Sequence, residues 1–497
     1  MQCLNPLVAS FFLIVILILP AGAGAEEATA GSGQAPLQEH TLDLHTAQCL
    51  ALSGNPGIAA AQERVAQARA RLRQAMATWR PSVDISAGGA HQRFSDTSFA
   101  LNRRIAAATG QELDQSSMHY TGGLQATWLL FDGFFRRFNE ERAQAAQFAE
   151  EEALNDSRRL LAAAVAQAFL NTQLAQSSID IAQASRTFYE KQLANAKHRY
   201  EVGAGAWSDV INIQVQLNNA KAGLLGHERE LEAAEYGLAS LMGLKDAILP
   251  PHLQLAHLQL ANLQLPHLQG AGLGNTVKES SEGADSSSAA EEAREASVLI
   301  AEAYALRPDV QRLEHRLQEA GALAGMAKAS LYPQVRLAGA LEGRREDDPP
   351  VNSADYGSTV GVNMSWNLYA GGADKARMVE AGHVQREAAY SLAALRNQIA
   401  ADIRASLARM AEARTQVRLQ QETLQLVEEN RRLAENAYNE GEFALIQLNE
   451  AQRELTTSAG RLAQAQVGYQ SARQQLLEAS GRILEPFSET QNCLPQQ

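Results

Sequence analysis

Trp128-Leu129-Leu130-Phe131-Asp132-Gly133 returns 238 residues later as Trp366-Asn367-Leu368-Tyr369-Ala370-Gly371. Both fit Trp-x-Leu-(Phe/Tyr)-x-Gly. The same offset carries Tyr200 and Gly203 to Tyr438 and Gly441, and Leu238 and Gly243 to Leu476 and Gly481. Upstream, Asn55-Pro56 opens a helical run that ends at Pro81, and Arg307-Pro308 opens one that ends at Pro333; each Pro-to-Pro spacing is 25. Landmarks that keep one register mean that a unit of roughly 190 residues is written twice, far longer than a solenoid repeat. The predicted copies are residues 41–246 and 298–485.

Each motif closes a segment of period two. Tyr120, Gly122, Leu124, Ala126, Trp128 and Leu130 share one face, against Gly123, Gln125, Thr127 and Leu129. In the second copy Tyr356, Ser358, Val360, Val362, Met364, Trp366 and Leu368 share a face, against Gly357, Thr359, Gly361, Asn363, Ser365 and Asn367. The expected hairpins pair strand 82–93 with 119–130 and strand 334–342 with 356–368. Such lengths suit a tilted strand crossing a bilayer, about 9–11 residues. Tyr120 with Trp128, and Tyr356 with Trp366, would stand roughly 20–25 Å apart along the membrane normal, the spacing of interfacial aromatics. A half-buried soluble sheet alternates in the same way. Four such strands behind an export signal favour the membrane. The loop 93–118 is long and polar and the loop 343–355 shorter, as suits outward-facing loops that accept insertion.

After each closing glycine the period becomes helical. No proline occurs from Gly133 to Leu249 or from Val351 to Glu485. Phe134 to Tyr200 would make one helix of about 100 Å at ~1.5 Å per residue. Its apolar positions are mostly alanine, which allows close packing in a coiled coil or helical array. Gly203 and Gly441 break the long helices, since glycine accepts the positive φ of a helix-ending turn. Ser208 and Asp209 are the expected caps of the next helix. The chain returns along Val210–Leu241 and Ile446–Leu477, about half the outgoing length; the first helices, Leu42–Thr78 and Val310–Ser330, supply the remainder if stacked end to end with the returns.

Leu7 to Leu19 is a 13-residue apolar run followed by Ala23-Gly24-Ala25, the pattern of a signal peptide over residues 1–25. A membrane anchor is the competing reading, since no Lys or Arg precedes the run. No later stretch approaches the ~18 apolar residues of a transmembrane helix, so a membrane would have to be crossed by strands. Residues 26–40 and 486–497 read as loose tails, and 247–297 as a low-complexity linker whose repeated His-Leu-Gln lacks ligand partners for a metal. Cys49 and Cys493 remain after the signal; whether they pair is left open by sequence. The net charge of −13 excludes nucleic acid as a partner. The histidines are scattered and the glycine-rich stretches lie in strands or linkers. No catalytic, cofactor or metal site is expected, and the chain does not read as an enzyme.

Taken together, the landmarks resemble the TolC-like outer membrane efflux protein family, over about Thr41 to Ile483. The resemblance implies a mainly α fold with membrane β: two tandem repeats, each of helix, β-hairpin, long helix, turn and helix. It implies a homotrimer in the outer membrane, with a β-barrel and a coiled-coil tunnel reaching into the periplasm. The helical tips, near 200–210 and 438–448, would meet a periplasmic adaptor (membrane fusion) protein linked to an inner-membrane pump. The matching tip positions are Tyr200, Val202, Gly203, Ser208 and Asp209 in the first copy, and Tyr438 and Gly441 in the second. The second copy departs from the family pattern at Glu440, Phe443 and Gln447. Glu450 keeps acidic character there. With Gln447 it is the candidate lumen constriction, either an acidic ring or a solvated helix face. A periplasmic adaptor and a structural coiled-coil envelope protein are the alternatives; neither explains four amphipathic strands with aromatic ends.

Overall fold

A computed structural model describes residues 40–108, 114–250, 253–255, 285–346 and 355–488. The expected signal peptide, the tail that follows it, Cys493, most of the linker and the last nine residues lie outside the described residues. In chain order the elements are β1 (His40–Leu42), α1 (Leu44–Gly54), α2 (Pro56–Ala77), β2 (Ser82–Arg93), α3 (Asp96–Ala108), β3 (Ser116–Phe131), α4 (Phe135–Glu201) and α5 (Trp207–Leu241). After these come β4 (Leu253–Leu255), α6 (Asp285–Leu306), α7 (Pro308–Ala329), β5 (Gln334–Glu346), β6 (Tyr356–Ser365), α8 (Ala373–Glu440), α9 (Leu445–Ser480) and α10 (Glu485–Ser488). The chain is mainly helical, and the order helix, hairpin, long helix, turn, helix occurs twice.

The chain divides into two compact units. One contains Ala68–Ala146 and Leu317–Glu387. Its sheet runs β2-β3-β5-β6, antiparallel throughout. Pro81 and Pro333 stop the preceding helices, because proline lacks the N–H a helix needs and restricts the residue before it. The register puts like with like across all four strands. Val83 faces Ala126, which faces Gly339, which faces Val360; on the same side Trp128 faces Leu337, which faces Val362. On the other side Asp84, Gln125, Ala340 and Thr359 form one row, and Ser86, Gly123, Glu342 and Gly357 another. Ile85 on the apolar side is 86% exposed.

The second unit contains the described residues of 40–67, 147–316 and 388–488. Two cores hold it. One gathers Leu42, Ala47 and Ala51 with Val165, Phe169, Leu238 and Met242. The other lies where α4, α5, α8 and α9 turn, and includes Leu193, Ile213, Tyr438 and Leu448.

Several expected boundaries are corrected. The first helix is not continuous from Leu42 to Thr78. Asn55 is extended (φ −73°, ψ 122°) and separates α1 from α2, because Pro56 disfavours helical geometry at the residue before it. The loop after β2 contains α3, and β3 begins at Ser116, while β5 runs on to Glu346. Strand β6 ends at Ser365, so Trp366 and Leu368 stand just beyond the ladder. Helix α6 starts inside the stretch read as linker.

Candidate functional site

The two tips are the same turn made twice. At the first, Gly203 (φ 73°) ends α4, and the N–H of Ala204 donates to the Arg199 carbonyl at 2.8 Å. At the second, Gly441 (φ 82°) ends α8, and the N–H of Glu442 donates to the Ala437 carbonyl at 2.9 Å. These bonds satisfy helix-end carbonyls in the manner of a Schellman motif, which places its glycine in the left-handed region.

The side chains at the two turns differ. Tyr200 is 46% exposed, its ring centroid 5.1 Å from that of Trp207. Tyr438, at the same repeat position, is 7% exposed and lies inside the tip core. Arg199 holds it there: the guanidinium sits 5.1 Å from the Tyr438 ring centroid and donates to the Tyr438 carbonyl at 3.3 Å. Burial raises the Tyr438 hydroxyl pKa, the negative charge of Asp209 adds to this, and Arg199 opposes both. Val202 and Gly203 lie on the exposed surface of the turn.

Ser208 and Asp209 are not caps. The N-cap of α5 is Ala206, with no side-chain hydrogen bond, and both residues lie in the first helical turn. There Asp209 favours the positive end of the helix dipole. At the second tip Ala444 is the N-cap, and Gln447 Oε1 accepts from its N–H at 3.2 Å. Gln447 therefore has a local structural role, and both it and Glu450 are exposed within the chain. Sequence reasoning missed Trp207 and Ile446, which with Phe443 give the tip an exposed apolar surface. For Ile446 the signal was present, since it lies off the buried 3–4 spacing that begins at Leu445; Trp207, three residues before Val210, sits on the buried spacing and gave none.

The strand ends are anchored equally regularly. Trp128 Nε1 donates to the Trp79 carbonyl at 3.0 Å, and Trp366 Nε1 to the Leu331 carbonyl at 3.1 Å. Each indole thus ties the end of one strand to the chain just before the proline that opens its hairpin partner. At the other end Tyr120 faces Gly89, and Tyr356 faces Gly343. A buried pair missed by sequence, Arg136 with Asp132 at 3.0 Å, braces the first junction, with the guanidinium 4.4 Å from the Trp79 ring centroid. Among the described residues no helix is long and apolar enough to cross a membrane, and no group of three or more His, Cys, Asp or Glu is placed to hold a metal ion.

Residues 49–244 and 299–482 match the outer membrane efflux protein family. The chain belongs to that family. The two matched segments fall within the two repeats. Efflux proteins of this family are outer-membrane channels with a periplasmic helical tunnel, working with adaptor and pump partners; the outer membrane is where this chain resides. Nodulation protein T of Rhizobium leguminosarum bv. trifolii is 23% identical over 355 residues, covering 69% of this chain and 68% of that protein. The solvent efflux pump outer membrane protein SrpC of Pseudomonas putida is 24% identical over 436 residues, covering 87% and 83%. The crystal structure of the Campylobacter jejuni CmeC outer membrane channel superposes with a TM-score of 0.70 at 16% identity, covering 96% of this chain and 98% of that one, a likeness of fold.

Proposed function

We propose that this chain is the channel subunit of a tripartite efflux or type I secretion assembly, and that three copies close one conduit. The observation that carries this is the register of the sheet. Apolar residues lie in line across all four strands, polar ones line the opposite side, and β2 and β6 each end the sheet with an unpaired edge. Unpaired backbone groups are not tolerated in lipid, so the edges must pair with those of other copies. Three sheets of four give a barrel of twelve strands with lipid on the apolar side and water on the other.

Conduction is passive. The chain carries no catalytic function, and energy comes from the inner-membrane pump through the periplasmic adaptor. The adaptor meets the tips at Tyr200, Val202, Gly203, Ser208, Asp209 and Gly441, with Tyr438 supporting that surface from within. Glu450 repeats by symmetry near the narrow end of the lumen, one turn beyond Gln447. Opening is a change of packing among the tip helices that adaptor binding favours.

Purified from outer membranes in detergent, the protein should run as a heat-modifiable trimer and give discrete conductance steps in planar bilayers. Recovery as a soluble monomer without conductance would overturn the reading.

A further inference from the structure

Helix α3 stands at the rim of the sheet with an apolar pair that the chain leaves exposed. Its place is fixed by the strands. The N–H of Phe94, just after β2, donates to the Gln115 carbonyl at 2.9 Å, and Gln115 Nε2 donates to Asp96 Oδ1 at 2.6 Å. Gln115 immediately precedes β3, so the first turn of α3 is tied to both strands of its hairpin. At about 100° per residue, Phe99, Asn102 and Ala106 share one face, and they are half-buried. Leu101 and Ile105 share another, and are 62% and 60% exposed. Arg104 borders that pair and Arg103 follows round the helix, both exposed. In an acidic chain, these arginines are the only charged residues from Thr97 to Gln111.

Strand β2 follows α2 at Ser82 and ends at Arg93, and β3 leads back to α4. Helix α3 therefore lies at the end of the sheet away from α2 and α4, the outward end. Tyr120, at the outer ring of interfacial aromatics, faces Gly89. Arg93 is four residues beyond Gly89, about 10 Å along the membrane normal at ~3.3 Å per residue and a tilt near 40°. That depth is the headgroup layer between hydrocarbon and water. An amphipathic helix lies there with its apolar side chains in the acyl boundary and its basic ones among the headgroups. Arginine suits the position, because its stem packs on apolar surface and its planar fork binds two phosphate oxygens.

We infer that α3 lies flat on the outer leaflet, with Leu101 and Ile105 among acyl chains and Arg103 and Arg104 on the phosphate groups of its anionic lipid. The occupant is the lipid surface. Helix α3 continues directly from a strand whose Ile85 side faces lipid, and its charge complements a phosphate-bearing leaflet. The inference rests on the membrane-spanning reading above and adds a lipid-selective contact to it.

The test uses the full-length protein with native cysteines replaced, reconstituted in vesicles of lipid A with phosphatidylcholine or of phosphatidylcholine alone. A thiol-attached fluorophore is placed on Leu101→Cys, on Ala100→Cys about 100° round the helix, or on Ile85→Cys on the apolar side of β2. A quencher carried on the acyl chains reports lipid contact, and iodide reports water. With lipid A, the Leu101 label should be quenched by the lipid-borne group and shielded from iodide severalfold more than the Ala100 label. Arg103→Gln with Arg104→Gln should remove most of that shielding, since each basic residue near an anionic surface favours docking about fivefold. Shielding that is equal in phosphatidylcholine alone, or unchanged in the double variant, overturns the phosphate contact. A Leu101 label hidden from both quenchers is covered by protein, and one open to iodide is a free helix; either overturns the lipid contact. In each of these cases a quenched Ile85 label leaves the barrel reading standing. If the Ile85 label also escapes the lipid-borne quencher, the membrane reading fails and takes the inference with it.

Discussion

Arg307 is the second-copy counterpart of Asn55, and the two make the same bond: Asn55 Nδ2 donates to the Leu241 carbonyl at 2.9 Å, and Arg307 Nη1 to the Ala479 carbonyl at 2.9 Å. The donors are 252 residues apart and the acceptors 238. The 14-residue difference falls between Pro81 and Trp128, in the hairpin that holds α3. Each donor therefore ties the break before a short helix to the end of that copy's return helix, where carbonyls lack intrahelical partners. The repeat is one of contacts as well as letters.

Arg307 is the more consequential of the pair. It grips Asp309 with its other two nitrogens, Nε and Nη2, at 3.0 and 2.6 Å, beside the buried Arg159. Burial pushes the Asp309 carboxyl upward, but Arg307 and Arg159 outweigh it and hold its pKa below the ordinary value. A depressed carboxylate pKa stabilises the fold above the unfolded value, and that contribution is lost as pH falls through the folded one. Asp309→Asn leaves the buried Arg307 guanidinium without its carboxylate, while Arg159 keeps Asp156 and Glu478, and should cost about 3–5 kcal/mol. Unfolding in detergent should show the loss at pH 7 and a flatter dependence below about pH 4 than in the parent protein.

The faces of β6 give a paired prediction. Val362 and Asn363 are neighbours on opposite sides of the sheet. Val362→Lys places a charge toward lipid and should cost about 2–4 kcal/mol near the bilayer midplane, lowering the yield of heat-modifiable trimer. Asn363→Lys should assemble normally and shift single-channel ion selectivity toward anions. Equal assembly of both variants would contradict the assignment of faces.

Gly343 lies so close to Tyr356 that a Cβ on it would come within 2.8 Å of the ring. Gly343→Val should impair assembly through overpacking of about 1–3 kcal/mol, and Tyr356→Ala in the same chain should recover part of it. Thermal dissociation of the trimer measures both.

Fold and strand faces were legible because period-two alternation, prolines and glycines are local signals. Tertiary choices were not. Nothing in Tyr200 and Tyr438 as letters says that one ring points out and the other in; Arg199 and the tip core decide it. Ser208 and Asp209 have capping chemistry, yet α5 starts one residue before Ser208 and leaves both in its first turn. The exposed leucines of α8, Leu419, Leu426 and Leu433, were hidden in a helix whose buried positions are themselves often polar or small, such as Ser406 and Ala434.

The two tip tyrosines separate recognition from packing. Removing the Tyr200 ring takes away exposed surface beside Trp207 and little core, so Tyr200→Ala should leave trimer stability and basal conductance within error while weakening adaptor capture. Removing the Tyr438 ring empties the space among Val210, Ile213, Leu445 and Leu448 and strips Arg199 of its aromatic partner. Loss of a buried aromatic costs about 3–5 kcal/mol, concentrated here at one end of four helices. Tyr438→Ala should therefore raise basal conductance through looser tips. Tyr438→Phe should behave as the parent, since the raised hydroxyl pKa keeps the phenol neutral near pH 7. Planar-bilayer recordings set against adaptor co-purification test the contrast, and identical phenotypes for the two alanine variants would deny the tyrosines separate roles.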